Sequence, residues 1–382
     1  MATIHFKGKS YVQNHHLTLK YHHLVPNSAA SCTDKISLHD NLIIHGDNLL
    51  ALKALLPTYA GKVKCIYIDP PYNTGNEGWI YNDNVNSPMM QDWLKANAPI
   101  DKEDLARHDK WLCMMMPRLK LLRELLRDDG VIFISIVVPS TWWDRKFAGD
   151  NQKARREVKK IFEELENPFD SPKPSSLLQL IFKIAADENS IILDSLAGSG
   201  TTAQAVLALN REDGGNRKFI LIEMEDYADS LTAERVGRVI KGVPKAKDEA
   251  LKNGLGGSFS FFELGEPIEI QAILEGGRLP AYEDLARYVF YTATGDEFDP
   301  AKIDYDRHYI GENPKYEVYL FYQPDLDYLR STALDLDKAE KLGRPKPNSK
   351  RRLVFAPMKY LDSDTLERYW IEHCQLPFEI YK

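Results

Sequence analysis

Tyr67-Ile68-Asp69-Pro70-Pro71-Tyr72-Asn73-Thr74-Gly75 is the stretch on which the fold turns. With the preceding Val63-Lys64-Cys65-Ile66 it begins as an apolar, β-branched run of the kind that makes a buried strand. Two prolines then stop the strand, because neither can donate to a ladder, and Asn73-Thr74-Gly75 turns the chain. A carboxylate, a rigid backbone carbonyl and an aromatic ring are thereby set at the carboxyl end of a strand, where open α/β sheets bind ligands. Such a group suits an exocyclic amine on a planar base. That amine is a poor nucleophile, since its lone pair is delocalised into the ring. Asp69 and the Pro70 carbonyl are suited to accept its two N–H bonds and draw the nitrogen toward tetrahedral geometry. Tyr72 offers a face for base stacking, worth roughly 1–3 kcal/mol per base. Pro71 helps hold ring and carbonyl in place beforehand, the preorganisation that electrostatic catalysis needs.

A second stretch, Ile191-Ile192-Leu193-Asp194-Ser195-Leu196-Ala197-Gly198-Ser199-Gly200-Thr201-Thr202, reads as strand, glycine-rich turn and helix start. Such a turn lets a ligand approach the backbone closely and aims free N–H groups at it. Another strand, Phe219-Ile220-Leu221-Ile222, ends in Glu223, near the spacing of about 20 residues at which a carboxylate grips ribose hydroxyls. No Lys-Ser/Thr ending follows the glycines, which excludes a Walker A phosphate loop. NAD can use such a turn but gives no role to Asp-Pro-Pro-Tyr.

The first stretch resembles motif IV of amino-group DNA methyltransferases, which reads Asp-Pro-Pro-Tyr in adenine enzymes. Related forms are Asn-Pro-Pro-Tyr in protein glutamine methyltransferases and Ser-Pro-Pro-Tyr in cytosine-N4 enzymes. The glycine turn resembles motif I of S-adenosylmethionine (AdoMet) methyltransferases, with Glu223 matching the motif II acid. Phe169-Asp170-Ser171-Pro172-Lys173-Pro174 and the helix from Ser175 resemble motif X, which lines the methionine end of the cofactor. Motif IV precedes motif I, the order of the permuted β class. Over nearly its whole length the chain resembles the modification subunit of a type III restriction system, although Leu196 stands where that family usually carries Phe.

The resemblance implies an α/β fold, a Rossmann-like AdoMet-dependent methyltransferase sheet with permuted motif order and a C-terminal α+β accessory domain. It implies methyl transfer to the N6 amine of adenine in DNA, the base being flipped from the stack. Catalytic roles fall to Asp69, Pro70, Pro71 and Tyr72. Cofactor contacts fall to Asp194, which orients the turn, to Ala197, Gly198, Gly200 and Glu223, and to Lys173. Asp47 ends the strand Asn41–His45 and carries two readings, a helix N-cap or an acid beside the adenine of the cofactor. AdoMet is the implied cofactor, with no metal. DNA is the implied partner, and the C-terminal region is implied in contacts with a second copy or a restriction subunit. The alternatives are methylation of cytosine N4 or of RNA, and a catalytically silent subunit that binds AdoMet and a partner protein.

The 382 residues suffice for two domains. Apolar residues at 43% and charged ones at 27% are ordinary for a globular chain. The four cysteines form no CxxC pair, which argues against a zinc site or a disulfide framework and, with no apolar leader or membrane-length run, for a reduced, cytoplasmic protein. A net charge of −7 does not advertise nucleic-acid binding, but the charge is uneven. Arg145, Lys146, Lys153, Arg155, Arg156, Lys159 and Lys160 cluster in one segment, and Arg344, Lys346, Lys350, Arg351 and Arg352 in another. Each cluster reads as a solvated face or as a contact for DNA.

Residues 1–40 read as an N-terminal extension, with the pairs His15-His16 and His22-His23 assigned no role. Residues 41–240 read as the methyltransferase domain, 241–257 as a linker and 258–382 as the accessory domain. A loop follows from Asn76 to about Trp93. After it a helix carries Trp111, Leu112, Met115, Leu119, Leu122, Leu125 and Leu126 at core spacing, ends at Asp128-Asp129-Gly130, and gives way to the strand Val131–Ile136. Family members continue from there into a large target-recognition domain. Here only residues 137–170 precede the motif X stretch, so the side chains that would read base edges have no evident source.

Overall fold

Short apolar runs make the strands of the first unit, and most are buried on both faces, as a parallel sheet covered by helices requires. The computed structural model describes residues 5–70, 106–135, 149–246, 249–267, 279–346 and 349–376. Among them seven strands form one sheet: β1 (His22–Pro26), β2 (Leu42–His45), β3 (Val63–Ile68), β4 (Leu126–Ile134), β5 (Ile191–Asp194), β6 (Lys218–Glu223) and β7 (Ser260–Pro267). Their order is β1-β7-β2-β6-β5-β3-β4. The pairs β7–β2, β2–β6, β6–β5, β5–β3 and β3–β4 are all parallel. His45, Ile68, Asp194 and Glu223 therefore end at the same edge of the sheet. The chain runs outward from β3 to β4 and, in the opposite direction, from β5 to β6. The order reverses between β3 and β5, and such a switch point opens a crevice at the carboxyl ends.

The helices of this part are α1 (Asn48–Tyr59), α2 (Ala106–Leu125), α3 (Asn151–Ile161), α4 (Ser175–Ala185), α5 (Thr201–Asp213) and α6 (Glu234–Lys241). Helix α5 buries nearly every residue from Thr201 to Leu209, whereas α3 buries only Ala154, Val158 and Ile161. That i, i+4, i+7 spacing is one helical stripe, which leaves the basic residues of α3 outside. Ile43, Ile192, Phe219, Leu221 and Phe261, all with no more than 1% exposure, form the centre of the core.

The chain divides into two units: residues 1–19, 24–53 and 60–264, and residues 20–23, 54–59 and 265–382. The second unit is α+β. Its helix α7 (Tyr282–Thr294) precedes β8 (Tyr309–Glu312), β9 (Tyr316–Leu320), β10 (Arg351–Ala356) and β11 (Ile371–Gln375). The sheet order is β11-β10-β9-β8, antiparallel at β8–β9 and parallel elsewhere. The C-terminal basic cluster is largely committed here. Lys350 pairs with Glu312 at 2.9 Å and Arg351 with Glu367 at 3.2 Å, while the buried Arg352 pairs with Glu317 at 3.4 Å.

Several boundaries differ from the sequence expectation. The run Phe259–Phe262 does not open the accessory domain, because β7 pairs in parallel with β2. Ser260 is fully buried there, its hydroxyl donating to Asp40 and accepting from the Ser37 N–H. Residues 1–40 are not a separate extension, since β1 takes its place in the sheet beside β7. The ring nitrogens of His22 and His23 meet the carbonyls of Gly265 and Glu266 at 2.7 and 3.0 Å. The expected linker 241–257 is packed where described. Val243 and Leu255 are buried, and the Leu255 N–H donates to the Val239 carbonyl.

Helix α2 ends at Leu125 and the strand begins at once, so Asp128-Asp129-Gly130 fall inside β4 rather than between the two elements. Val63 pairs with Leu126 but Cys65 with Val131, a bulge that absorbs residues 127–130, with Asp129 held by Lys64 at 3.0 Å. Ile136, the loop 76–93, and Arg145 and Lys146 lie outside the described residues. No helix among the described residues is long and apolar enough to cross a membrane.

Candidate active site

Three carboxylates gather where β3, β5 and β6 end. Asp69 follows β3, Asp194 closes β5 and Glu223 closes β6. Asp69 is bonded to Lys173, which arrives from the segment just before α4, and the two side chains are 21% and 12% exposed. Two members of the sequence-derived site that lie 104 positions apart thus meet directly. Pro70 is buried beside Asp69, whereas Pro71 and Tyr72 lie outside the described residues.

Asp194 is buried, with its Oδ2 accepting from the Thr202 hydroxyl at 2.6 Å and its Oδ1 from the Leu196 N–H at 3.1 Å. These bonds tie the end of β5 to the first turn of α5 and shape the glycine turn between them. Burial pushes the Asp194 pKa up to about 7, and the neighbouring charges of Asp69 and Glu223 push the same way. A carboxyl whose folded pKa is raised holds a proton that the unfolded chain would release. Its penalty is absent below the unfolded value, grows as pH rises from about 4, and is complete above about 7. Asp194→Asn keeps both bonds, accepting from Leu196 and donating to Thr202. Urea unfolding across this window should show the variant gaining on the wild type, by on the order of 4 kcal/mol at pH 8. Parallel curves would exclude the protonation of Asp194.

Glu223 binds the turn from the other side. Its Oε2 accepts from the Gly198 N–H at 2.7 Å, and its Oε1 from the N–H groups of Met224 and Glu225 at 3.0 Å. Burial raises its pKa against the pull of these bonds. Ala197 donates its N–H to the Ile222 carbonyl at 3.1 Å, which pins the turn to β6. Gly198 sits at φ +52°, and a Cβ there would stand 3.1 Å from the Phe169 ring. Phe169 itself meets Tyr227 edge-on at 5.8 Å. Gly200, at φ +80°, is the N-cap of α5.

The Oδ1 of Asp47 accepts from the Leu50 N–H at 3.0 Å, so this residue caps α1. Its neighbour Asn48 makes the longer link. Asn48 is buried, donates to the Ser195 carbonyl at 3.3 Å and accepts from Arg118 Nε at 2.9 Å.

Arg235 had no place in the sequence-derived site. It is fully buried in α6 and fans into the glycine turn. It donates to the Ser199 carbonyl and hydroxyl at 3.2 and 2.6 Å, to the Thr201 hydroxyl at 2.9 Å, and twice to Gln204. Burial pushes its pKa down to about 10. From the same side Thr232 donates to the Gly198 carbonyl at 2.6 Å. One signal was present in the sequence: Arg235 shares a helical stripe with Val236, Val239 and Ile240, which are apolar and buried.

A family model described as DNA methylase, N6_N4_Mtase, matches residues 63–138 and 137–234, a span running from β3 to the start of α6. The Mod subunit of the type III restriction-modification enzyme StyLTI of Salmonella typhimurium is 25% identical over 440 residues, covering 70% of this chain and 66% of that protein. The EcoP15I Mod subunit of Escherichia coli is 47% identical over 107 residues, covering 25% of this chain and 16% of that protein. The type II methyltransferase M.KpnI of Klebsiella pneumoniae is 35% identical over 139 residues, 34% of this chain and 32% of that protein. The chain therefore spans less than two thirds of the length of the curated relatives it matches. Among solved structures, the DNA modification methylase TTHA0409 of Thermus thermophilus in complex with S-adenosyl-L-methionine aligns with a TM-score of 0.33 at 14% identity, covering 58% of this chain and 99% of that one. A superposition that loose bears on neither fold nor site.

Proposed function

We propose that this protein transfers a methyl group from AdoMet to the N6 amine of adenine in DNA, in the cytoplasm, as the modification component of a restriction-modification system. The observation that carries this reading is the junction of Asp69 and Lys173 beside the Asp194–Gly200 turn, at the switch point of the sheet. The similarity to Mod subunits and the match to the DNA methylase model support it. Motif IV before motif I favours the permuted adenine class over the protein-glutamine enzymes.

The residues present fit AdoMet. The buried carboxyl of Glu223, held by the Gly198, Met224 and Glu225 amides, keeps acceptor capacity for a ligand hydroxyl, and the positive-φ turn admits close approach. When bound, AdoMet supplies an electrophilic methyl group on a sulfonium. Glu223 and the close-approach surface of the turn hold it, Asp194 keeps the turn in shape, and Lys173 orients Asp69. The carboxylate of Asp69 and the carbonyl of Pro70 accept the two N–H bonds of the target amine, while Pro71 and Tyr72 hold the flipped base. With no proton donor required at the leaving sulfur, rate comes mainly from alignment, for which effective molarities reach about 10⁵–10⁸ M. Residues 137–170 are too few for a recognition domain of the family's size, so sequence choice falls to a partner, a second copy or a restriction subunit docked through residues 258–382.

Labelled AdoMet and mixed-sequence unmethylated DNA, followed by nucleoside analysis, test the assignment. N6-methyladenine is the expected product. N4-methylcytosine would overturn the choice of base, and measurable AdoMet binding without transfer would identify a silent subunit.

A further inference from the structure

We propose that a cleft between α3 and α5, away from the strand-end site, binds the phosphodiester backbone of duplex DNA. The cleft measures about 870 Å³ and is lined by Lys153, Arg156 and Lys160 of α3 and by Arg211 of α5. The buried stripe of α3 turns these residues outward, and all four are exposed. Arg156, Lys160 and Arg211 make no hydrogen bond or ion pair among the described residues. Lys153 reaches only the Ser176 hydroxyl, at 3.1 Å.

The two acids in the wall are already engaged. Glu157 accepts from the N–H and hydroxyl of Ser175 at 3.3 and 2.9 Å, and Glu212 pairs with Lys183 at 2.7 Å. Arg238 of α6, by contrast, pairs with Glu164 and Glu234. Here unpaired cations from two helices, distant in sequence, share one concave surface. Fixed positive charge in a concavity concentrates field and attracts polyanions. It makes phosphate contacts, which position a duplex without reading its sequence.

The wall of the cleft includes Ser175 and Ser176, two and three residues beyond Lys173, so its rim is joined by chain to the strand-end site. Backbone anchoring there supplies affinity that the short 137–170 segment cannot. The proposal rests on the nucleic-acid reading of the strand-end site for the identity of the polyanion.

Binding of a mixed-sequence DNA duplex to the full chain, followed by fluorescence anisotropy over a range of salt, tests it. Arg156→Ala, Lys160→Ala and Arg211→Ala combined should weaken binding more than tenfold at low salt. Three lost phosphate contacts should also reduce the slope of log K against log salt by about 3. AdoMet affinity should stay unchanged, which separates this effect from misfolding. An unchanged slope, or no duplex binding by the wild type, overturns the proposal. Absence of methylated product with the slope change intact would instead overturn only the catalytic reading.

Discussion

Asp69→Ala abolishes methyl transfer, by an expected factor of about 10²–10³ or more, while AdoMet binding stays close to that of the wild type. The factor is that for removing one preorganised hydrogen-bonding group from a reacting centre. Asp69 follows β3 and is bonded to Lys173, whereas Asp194 and Glu223 bond the glycine turn. On the proposed mechanism its loss removes the acceptor for the amine and leaves the bonds of Asp194 and Glu223 to the turn in place. Asp69→Asn keeps one acceptor oxygen and should fall between the wild type and alanine. Lys173→Ala provides the companion measurement: if Lys173 only orients Asp69, single-turnover transfer slows while cofactor affinity changes little. Transfer by Asp69→Ala at the wild-type rate would remove Asp69 from the mechanism.

Arg235→Ala should be the most destabilising single change in the first unit, costing about 3–5 kcal/mol. The substitution leaves a cavity in place of a fully buried side chain. It also strips donors from the Ser199 carbonyl and hydroxyl, the Thr201 hydroxyl and Gln204. Unfolding of this unit should move down by roughly 10 °C or more, at the few degrees per kcal/mol expected for a domain of this size. Since the orphaned groups belong to the glycine turn, AdoMet affinity should fall as well. Arg235→Met separates the contributions. It refills much of the space and escapes the cost of a buried charge, yet leaves the turn unanchored, so stability recovers further than cofactor affinity does. Equal recovery of both would mean that Arg235 is packing alone.

These two residues mark how far the site could be read in advance. Asp69, Asp194, Gly198 and Glu223 could be proposed from sequence because each stands at or just beyond the end of a strand, a pattern confined to a few neighbouring residues. Arg235 was not, because an arginine on a helix looks solvent-exposed unless its partners are known, and these lie more than 30 positions away. The bond between Lys173 and Asp69 joins positions 104 apart. The cap that Asp47 gives α1 was one of its two sequence readings, and the donation from Leu50 shows it.

The same division applies to the fold. Local hydrophobic period and turn chemistry determined β2, β3, β5, β6 and helices α2 and α5, because a buried strand or a helical stripe shows in a few consecutive residues. They also determined that Asp69 and the glycine turn each stand at a strand end. Which strands lie side by side was decided only in three dimensions. The runs of β1 and β7 are compatible with either unit, and pairing with β2 and burial of Ser260 placed β7 in the first sheet. The bulge in β4 arose likewise from its partner β3. Strand pairing and the burial of polar groups depend on surfaces supplied by distant segments, so no local pattern encodes them, and the tertiary structure alone set Arg235 against the glycine turn and Lys173 against Asp69.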